Sequence, residues 1–526
     1  MDLNHIALWM AGLPAATLFW RSARAPHRPV GWMVVPALVL FTALVGWFWF
    51  QEYAGYLTGV LALLFIMLPI WLHNAGGRAS ARFQYGRARR LFSLAALLHP
   101  MDNWGTTPRM IHAFELAHAG RTDDADALLL LLAREKGDVA TLANAQRLRI
   151  LGRFRELKAL GESSGLAVLG REPALLGLYL RALGELGEVQ ALAEFMRAQE
   201  RTLIGTGILD MALLYLFAFT GRVDLTRQAL SGRRQLYTEE TRDFWLAVAS
   251  KHAGDPEGAR RAFSRLRQSG DAQIRDRAEG HFNRLTLAAP EEAPSARTLE
   301  IVTYFAQALE QRQNLIPNSS SHRPERRLTG LLIVANTLVY VSGSYPLLID
   351  THARFGDRWA FFAPDIFSGE WWRVLSYLFV HANAIHLLMN MAGLWVLGPF
   401  VERAFGRLRF ALIYLFAGCT GSAFYLILTW YGWIQPEQLV GASGCIMGLL
   451  GATAAVMLRA WLRQRAAIAR QIFFRLLLVV GLQVAFDLST PQVAGLAHAL
   501  GLLGGFVSGL LLREGVSPKR SVAALG

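Results

Sequence analysis

Long apolar runs at both ends of this chain enclose a more polar middle. Three such runs open the sequence, at about residues 3–20, 31–50 and 57–72. A helix needs roughly 20 apolar residues to cross the hydrocarbon core of a bilayer. These runs therefore predict an N-terminal membrane anchor of about three transmembrane helices over residues 1–77. Asn4, His5 and Pro14 interrupt the first run, so an interfacial helix is the alternative there.

From about residue 78 to residue 286 the apolar positions follow helical spacing, and the pattern repeats. Six glycines lie 32 to 35 residues apart in it, namely Gly86, Gly120, Gly152, Gly187, Gly221 and Gly254. Each is expected to end the first helix of a pair in a left-handed cap. The period is similar to that of the tetratricopeptide (TPR) repeat, which predicts a TPR-like solenoid whose concave groove binds a protein or peptide partner. An accidental spacing in a non-repetitive helical domain is the alternative.

The last part of the chain returns to long apolar runs. Residues 287–327 are rich in Pro and Ser around an amphipathic stretch near 299–313, which predicts a linker containing a helix. Six apolar runs then form a unit over residues 328–526, at about 328–347, 377–397, 408–430, 440–458, 472–488 and 492–512. The predicted fold is therefore all-α, a polytopic membrane protein with a helical-repeat region between two membrane parts.

Composition and charge fit this organisation. Lys and Arg number 53 against 39 Asp and Glu, for a net charge of +14, while 53% of residues are hydrophobic and only 17% are charged. The basic residues gather at the ends of apolar runs, as at Arg21 and Arg24, Arg407 and Arg409, and Lys519 and Arg520. By the positive-inside rule, the repeats and the C-terminus are expected in the cytoplasm. This topology, with no organelle signal in the sequence, predicts a bacterial inner membrane. Nothing beyond net charge favours nucleic acid, and Cys419 and Cys445 are expected to be free thiols.

Polar residues inside the last six runs are candidates for function, because such residues are costly in a membrane. Ser443 lies between Gly441 and Gly444, and His498 lies near the start of the sixth run. His386 and Asn390 are four apart, so they share one face of a helix. These residues fall near the same end of three co-directional helices and are expected to meet at one depth.

Small residues favour that meeting. Gly444, Gly448 and Ala452 form one stripe, and Gly501, Gly505 and Gly509 form another. Such stripes permit close helix approach, which a serine and a histidine on different helices need for a hydrogen bond. A lone membrane serine usually bonds its own backbone, but the whole combination favours catalysis.

At these residues the unit from about 328 to 513 resembles the rhomboid intramembrane serine proteases. Gly441-Ala442-Ser443-Gly444 matches the nucleophile motif and Ala497-His498 the histidine motif. The resemblance implies a six-helix fold, a Ser443/His498 dyad, an oxyanion site at His386 and Asn390, an accessory His381 and a structural Trp372-Arg373 pair. It also implies membrane-protein substrates. The predicted topology opens the active site to the extracytoplasmic side, and no metal or organic cofactor is indicated. The aromatic-rich loop 348–376, which includes Phe361, is expected in the bilayer interface.

Some residues depart from that pattern or leave alternatives open. Met447 stands where family members usually carry an aromatic ring against the catalytic histidine. Asp487 is expected to be structural rather than the third member of a triad, and Glu402 to make a structural contact at the cytoplasmic edge. The alternatives to a protease are a rhomboid-like pseudoprotease and a membrane-tethered TPR scaffold, both of which bind clients without cleaving them.

Overall fold

The computed structural model describes ten stretches of this chain, and the regular elements within them are helices. These stretches are residues 3–25, 29–102, 104–135, 137–231, 237–287, 293–315, 327–344, 358–464, 467–490 and 495–512. Lys519, Arg520 and the first part of the aromatic loop, 348–357, lie outside them. The chain divides into two compact units at residues 310 and 311, and the N-terminal anchor and the repeats fall together in the first.

Three helices open the first unit: α1 (Leu3–Ala23), α2 (Gly31–Trp49) and α3 (Ala54–Ala81). Asn4, which weakens the first apolar run, holds the start of α3. Its side-chain oxygen accepts hydrogen bonds from the backbone N–H of Gly55 at 2.7 Å and of Tyr56 at 3.2 Å. These are donors that the first turn of a helix leaves without a partner.

Six of the described helices are long and apolar enough to cross a membrane. They are Gly31–Trp49, Ala54–Ala81, Ala384–Phe405, Arg407–Trp430, Ser443–Arg463 and Ala469–Ser489. The helix Leu3–Ala23 does not reach this criterion, and Arg327–Ser342 and Gly495–Leu511 are shorter apolar helices. The chain is therefore a multi-pass membrane protein.

A single helix, α4 (Tyr85–Leu98), leads into five helical hairpins. Their helices are α5 and α6 (Thr106–His118, Thr122–Ala133), α7 and α8 (Asp138–Ile150, Phe154–Arg171), α9 and α10 (Pro173–Glu185, Val189–Ala198), α12 and α13 (Leu209–Phe219, Val223–Ser231), and α14 and α15 (Glu239–His252, Pro256–Leu266). A short helix, α11 (Glu200–Thr206), separates the third hairpin from the fourth, and α16 (Ala272–Leu287) and α17 (Ala296–Leu315) follow the fifth. A helix is thus present where the linker was expected to contain one, and its residues Ile301, Val302, Phe305 and Leu309 are buried in the core of the hairpins.

Five of the six periodic glycines end the first helix of a hairpin, as predicted. Gly120, Gly152, Gly187, Gly221 and Gly254 all have positive φ, between 69° and 81°. After each, the next backbone N–H bonds to a carbonyl five residues back, as from Arg121 to Leu116 at 2.9 Å, which is a Schellman cap. Gly86 is the exception and lies in the first turn of α4, so its expected cap is wrong. The assignment of the hairpins to the TPR family stays a prediction.

The first helices of the hairpins form a closed ring rather than an open groove. Along the chain α5, α7, α9, α12, α14 and α16 each contact the next, and α16 returns to contact α5. At this closure His118 lies 3.1 Å from the Asp271 carboxylate, and Gly120 lies against Ala272. The expected exposed concave groove is therefore wrong, because α16 fills the gap between the first hairpin and the last.

Basic side chains collect inside this ring. Arg149 and Arg277 both donate to the side-chain oxygen of Gln273, at 3.3 and 2.9 Å. Burial, and then the nearby Arg181 guanidinium, lower the pKa of Arg149 to about 10. Two guanidinium groups thus share one neutral acceptor, which does not compensate their positive charge. The carboxylates in the ring are therefore important for the stability of the ring.

Glu185 is the buried carboxylate that contacts two of the ring's basic groups, and it gives the first prediction. Arg181 donates to it at 3.0 Å, and His281 lies 3.3 Å away, with the Glu185 side chain only 2% exposed. Burial alone would raise the pKa of Glu185, but His281 and Arg181 hold it well below its ordinary value. Glu185→Gln should therefore destabilise the protein by about 3 kcal/mol at pH 7, because it leaves buried charge unpaired.

The matched control is Glu300→Gln, which breaks the exposed Arg297–Glu300 pair and should cost less than about 1 kcal/mol. Thermal unfolding of the full chain in detergent, followed by tryptophan fluorescence, measures both changes. Folding lowers the pKa of Glu185, so its ionised carboxylate contributes fully to the stability of the folded protein at a pH above the unfolded pKa of about 4.3. This contribution fades as the pH falls below that value. Equal effects of the two substitutions would contradict this account.

The second unit contains six apolar helices: α18 (Arg327–Ser344), α21 (Ala384–Phe405), α22 (Arg407–Trp430), α23 (Ser443–Gln464), α24 (Ala467–Ser489) and α25 (Gly495–Leu511). Two short helices, α19 (Ala363–Phe367) and α20 (Arg373–Ser376), lie in the connection before α21. The expected start of the second apolar helix at residue 377 is wrong. A loop intervenes, and α21 begins where the Asn383 side chain accepts from the His386 backbone N–H at 2.9 Å.

Glu402 fixes the start of α18. It is 1% exposed, and its carboxylate accepts from the backbone N–H groups of Leu328 and Thr329 at 2.9 and 3.0 Å and from the Thr329 hydroxyl at 2.7 Å. A carboxylate there satisfies donors that the first turn leaves free and opposes the positive end of the helix dipole. The predicted structural contact of Glu402 is thereby identified, and it joins α21 to α18.

The two stripes of small residues face each other across α23 and α25. A Cβ atom added to Gly501 would overlap the carbonyl of Gly444, and one added to Gly505 would overlap that of Gly448. Gly509 lies in the same way against Ala452. The predicted close approach of these two helices is therefore confirmed, and it leaves no space for a side chain at either glycine.

This packing predicts that Gly505→Ala destabilises the second unit. The added methyl group would press on the Gly448 backbone, which has no side-chain freedom to yield, so we expect a loss of about 1–3 kcal/mol. Gly481→Ala on α24 is the control, because a Cβ there meets nothing within 4 Å. Thermal midpoints in detergent compare them, and an equal shift for both would refute the packing argument.

Candidate active site

Ser443 is the first residue of α23, at the end of a bent segment. Gly441 has a φ of +114°, a backbone conformation that residues with a side chain rarely adopt. Its backbone N–H donates a hydrogen bond to the Tyr377 carbonyl at 2.9 Å. This turn brings the chain sharply into the helix and leaves the Ser443 side chain partly exposed, with Ala442 and Gly444 buried beside it. Ser443 thus lies at a helix N-terminus, where backbone N–H groups are free to bind negative charge.

His498 reaches Ser443 from α25. Its Nε2 atom lies 2.8 Å from the Ser443 Oγ atom, although 55 residues separate the two along the chain. His498 is 7% exposed and occupies the first turn of its helix. The structure therefore brings together the two residues that the sequence singled out as a nucleophile and its base.

A carboxylate lies behind the histidine, where none was expected. The Asp487 Oδ2 atom, near the end of α24, is 2.9 Å from His498 Nδ1. The other oxygen, Oδ1, accepts from the Gln483 side chain one turn earlier, at 2.8 Å. The expected role of Asp487 is structural, and the structure adds that its carboxylate contacts the histidine directly. The signal in the sequence was its place 11 residues before His498 at the end of an apolar helix.

His386 and Asn390 lie against Gly441. A Cβ added to that glycine would meet the His386 ring at 2.7 Å and the Asn390 Nδ2 atom at 3.2 Å. Asn390 is 7% exposed, and its Nδ2 atom has no hydrogen-bond acceptor among the residues that the structure describes. A buried donor without an acceptor is costly, which suggests that a ligand atom supplies one.

His381 lies before α21 rather than within it, because the helix begins only at Ala384. Its ring stands edge-on to His386, with 5.2 Å between the ring centroids, and its Nδ1 lies 3.2 Å from the Phe379 carbonyl. The expected position of His381 on the helix is therefore wrong, whereas its place beside His386 fits a supporting role.

Arg373 supports the segment before the nucleophile from the other side. It is 4% exposed and contacts Asp365 at 2.9 Å, Glu370 at 2.6 Å and the Ala360 carbonyl at 2.9 Å. The next residue, Phe361, exchanges two backbone hydrogen bonds of 3.0 Å with Leu439, two residues before Gly441. Arg373 thus anchors the loop to which the nucleophile segment is attached.

The aromatic residues of this loop have two different environments. Trp371 is 71% exposed and Trp372 is 40% exposed, as suits residues at a membrane interface. Phe361 is fully buried against Tyr377 and Tyr425, so its expected place in the interface is wrong. Trp372 has no described contact with the Ser443 or His498 side chain. Met447, one turn after the nucleophile, is buried.

Known proteins resemble the part of the chain that holds this site. The family described as the Rhomboid domain matches residues 368–515. Rhomboid protease GluP of Bacillus subtilis is 34% identical over 163 residues, which are 30% of this chain and 30% of that protein. RHOMBOID-like protein 6, mitochondrial, of Arabidopsis thaliana is 34% identical over 143 residues, 27% of this chain and 44% of its own length.

A shorter relative is matched over most of its length. The putative rhomboid protease YdcA of Bacillus subtilis is 30% identical over 144 residues, which are 27% of this chain and 68% of that protein. The chain spans less than half the length of the two larger relatives. The region that matches the family nevertheless includes all the residues that form the site, from Trp372 to His498. The chain belongs to the rhomboid family.

Proposed function

We propose that this chain is an intramembrane serine protease with Ser443 as nucleophile and His498 as general base. The observation that supports it most strongly is the 2.8 Å contact between Ser443 Oγ and His498 Nε2, made between two apolar helices. A membrane serine that served only packing would bond a carbonyl of its own helix, as Ser508 does with Gly504 at 2.7 Å. Ser443 instead bonds a base on another helix.

In the proposed reaction, His498 Nε2 takes the hydroxyl proton as Ser443 Oγ bonds to the scissile carbonyl carbon. The resulting oxyanion collapses, the peptide C–N bond breaks, and Nε2 gives the proton to the leaving amine. A water molecule then loses a proton to Nε2 and attacks the acyl-enzyme ester. The Oγ–C bond breaks, the carboxylic acid product leaves, and the proton returns to Ser443.

The oxyanion would lie between the start of α23 and the side chains of α21. The backbone N–H of Ser443 is one donor, and the Asn390 Nδ2 atom, which lacks an acceptor among the described residues, is a second. His386, whose ring lies against Gly441, is a third. Donors fixed in place before the reaction stabilise developing charge without reorganising, and each typically contributes about 3 kcal/mol.

The proposed substrates are membrane proteins cut in or near a transmembrane segment, because the site lies at the ends of membrane helices. We place the protein in a bacterial cytoplasmic membrane, with the hairpins and the C-terminus in the cytoplasm and the site open to the other side. A cytoplasmic partner of the hairpins stays a prediction. A pseudoprotease that only binds clients is the alternative, and the intact pair of Ser443 and His498 speaks against it.

This proposal predicts that Ser443→Ala and His498→Ala each abolish cleavage of a single-span reporter in membranes. The first removes the nucleophile and the second its base, while both proteins should still insert and fold. Ser508→Ala is the control, since its hydroxyl bonds only its own helix. Cleavage by the wild type and by Ser508→Ala alone is the expected result on a product gel. Equal cleavage by all four proteins would overturn the assignment, and cleavage by none would favour the pseudoprotease.

The oxyanion assignment predicts that Asn390→Ala lowers kcat by about 10²–10³-fold with little change in KM. The donor acts on charge that exists only in the transition state, so substrate binding should not need it. Thr337→Ala is a control, because that hydroxyl bonds only the Ile333 carbonyl in α18. A kcat within threefold of the wild type would remove Asn390 from the site.

A further inference from the structure

We infer that Asp487 is a positioning residue of this site, which holds His498 in the tautomer and orientation that its role as a base requires. The inference rests on the proposed function, since it concerns how the base is kept ready. The structure joins Gln483, Asp487, His498 and Ser443 in one line of three hydrogen-bond contacts, of 2.8, 2.9 and 2.8 Å.

The chemistry of imidazole makes the Asp487 contact directional. A neutral histidine carries one N–H, on either Nδ1 or Nε2, and an ionised carboxylate can only accept. With Asp487 Oδ2 at 2.9 Å from Nδ1, the proton belongs on Nδ1. The Nε2 lone pair then faces Ser443 Oγ and can receive its proton. In the other tautomer Nε2 would already hold a proton, and His498 could not act as the base.

Two hydrogen-bond contacts are described for this ring. Within the part of the chain that the structure describes, Ser443 and Asp487 are the hydrogen-bond partners given for His498, and no aromatic ring pairs with it. Met447, which replaces the expected aromatic residue one turn after Ser443, offers no planar surface. Of its two described hydrogen-bond partners, Asp487 contacts the Nδ1 side of the ring, so the carboxylate orients the ring from that side.

The carboxylate is itself held in place. The Asp487 side chain is only 8% exposed, and each of its oxygens has a partner, Oδ2 with His498 and Oδ1 with the Gln483 amide. Gln483 lies four residues earlier on the same face of α24. When His498 gains a proton during the reaction, the nearby negative charge stabilises the imidazolium, and little solvent is present to weaken the attraction.

A purely structural role for Asp487 predicts a different effect of Asp487→Asn than a positioning role does. If the residue only joined α24 to α25, the amide introduced by Asp487→Asn would still accept a hydrogen bond from Nδ1, and stability rather than kcat would change. If Asp487 positions the base, that amide can also present its N–H₂ group to Nδ1 and so select the wrong tautomer. The two roles are thus separable by measuring turnover and folding on the same variant.

The experiment compares Asp487→Asn with the wild type, using the single-span reporter, full-length protein in liposomes and thermal midpoints in detergent. We expect kcat to fall by about 10³–10⁴-fold, with KM within threefold and a near-normal midpoint. Glu437→Gln is the matched acid-to-amide control, since that exposed carboxylate contacts Tyr425 and not the site. Gln483→Met, which frees only Oδ1, should reduce kcat by about tenfold or less. A kcat for Asp487→Asn within threefold of the wild type overturns the inference.

A second measurement keeps the inference testable if Asp487→Asn fails to fold or if no reporter is cleaved. Nitrogen-15 NMR of histidine-labelled wild type reports which nitrogen of His498 is protonated, and the signal is assigned by its loss in His498→Gln. Protonated Nδ1 with unprotonated Nε2 supports the inference, and the reverse contradicts it. Because this readout needs no turnover, it separates failure of the positioning role from failure of the proposed protease.

Discussion

The close approach of α23 and α25 is the constraint on which the candidate site depends. Gly444, Gly448 and Ala452 face Gly501, Gly505 and Gly509, and the two helices meet with backbone against backbone. Lipid gives no hydrophobic reason for two apolar helices to associate, so packing and hydrogen bonds must hold them together. A larger residue at either stripe would separate the helices and take His498 Nε2 out of reach of Ser443 Oγ.

Several buried polar residues of the second unit are paired across helices. Glu402 caps α18, Arg459 on α23 donates to the Gly509 and Leu510 carbonyls at the end of α25, and Asp487 contacts His498. Near the nucleophile, the Asn390 amide is a buried donor with no described acceptor. An unsatisfied donor beside a strained glycine and a helix N-terminus is an arrangement suited to stabilising a transient anion.

Much of this arrangement could be predicted from the sequence because it depends on local spacing. Hydropathy located the membrane helices, the glycine period located five hairpin turns, and the small-residue stripes predicted the packing that joins Ser443 to His498.

What could not be predicted depends on contacts between distant segments. The start of α21 was misplaced because an apolar loop and an apolar helix look alike until Asn383 is seen to cap the helix. That error also moved His381 onto the helix. Asp487 and the closed ring were missed for the same reason, since both depend on contacts between segments that the sequence pattern does not bring together. A repeat period likewise describes neighbouring pairs and does not reveal that α16 contacts α5, which depends on the small rotation accumulated over five hairpins.

The central claim is that Ser443 is an activated nucleophile within the membrane unit. The most direct measurement is to treat membranes containing the full-length protein with a fluorophosphonate and to identify the modified residue by mass spectrometry. The account predicts one adduct, on Ser443, which is lost in His498→Ala because the base no longer activates the hydroxyl. An unmodified Ser443, or labelling at that serine that does not depend on His498, would contradict it.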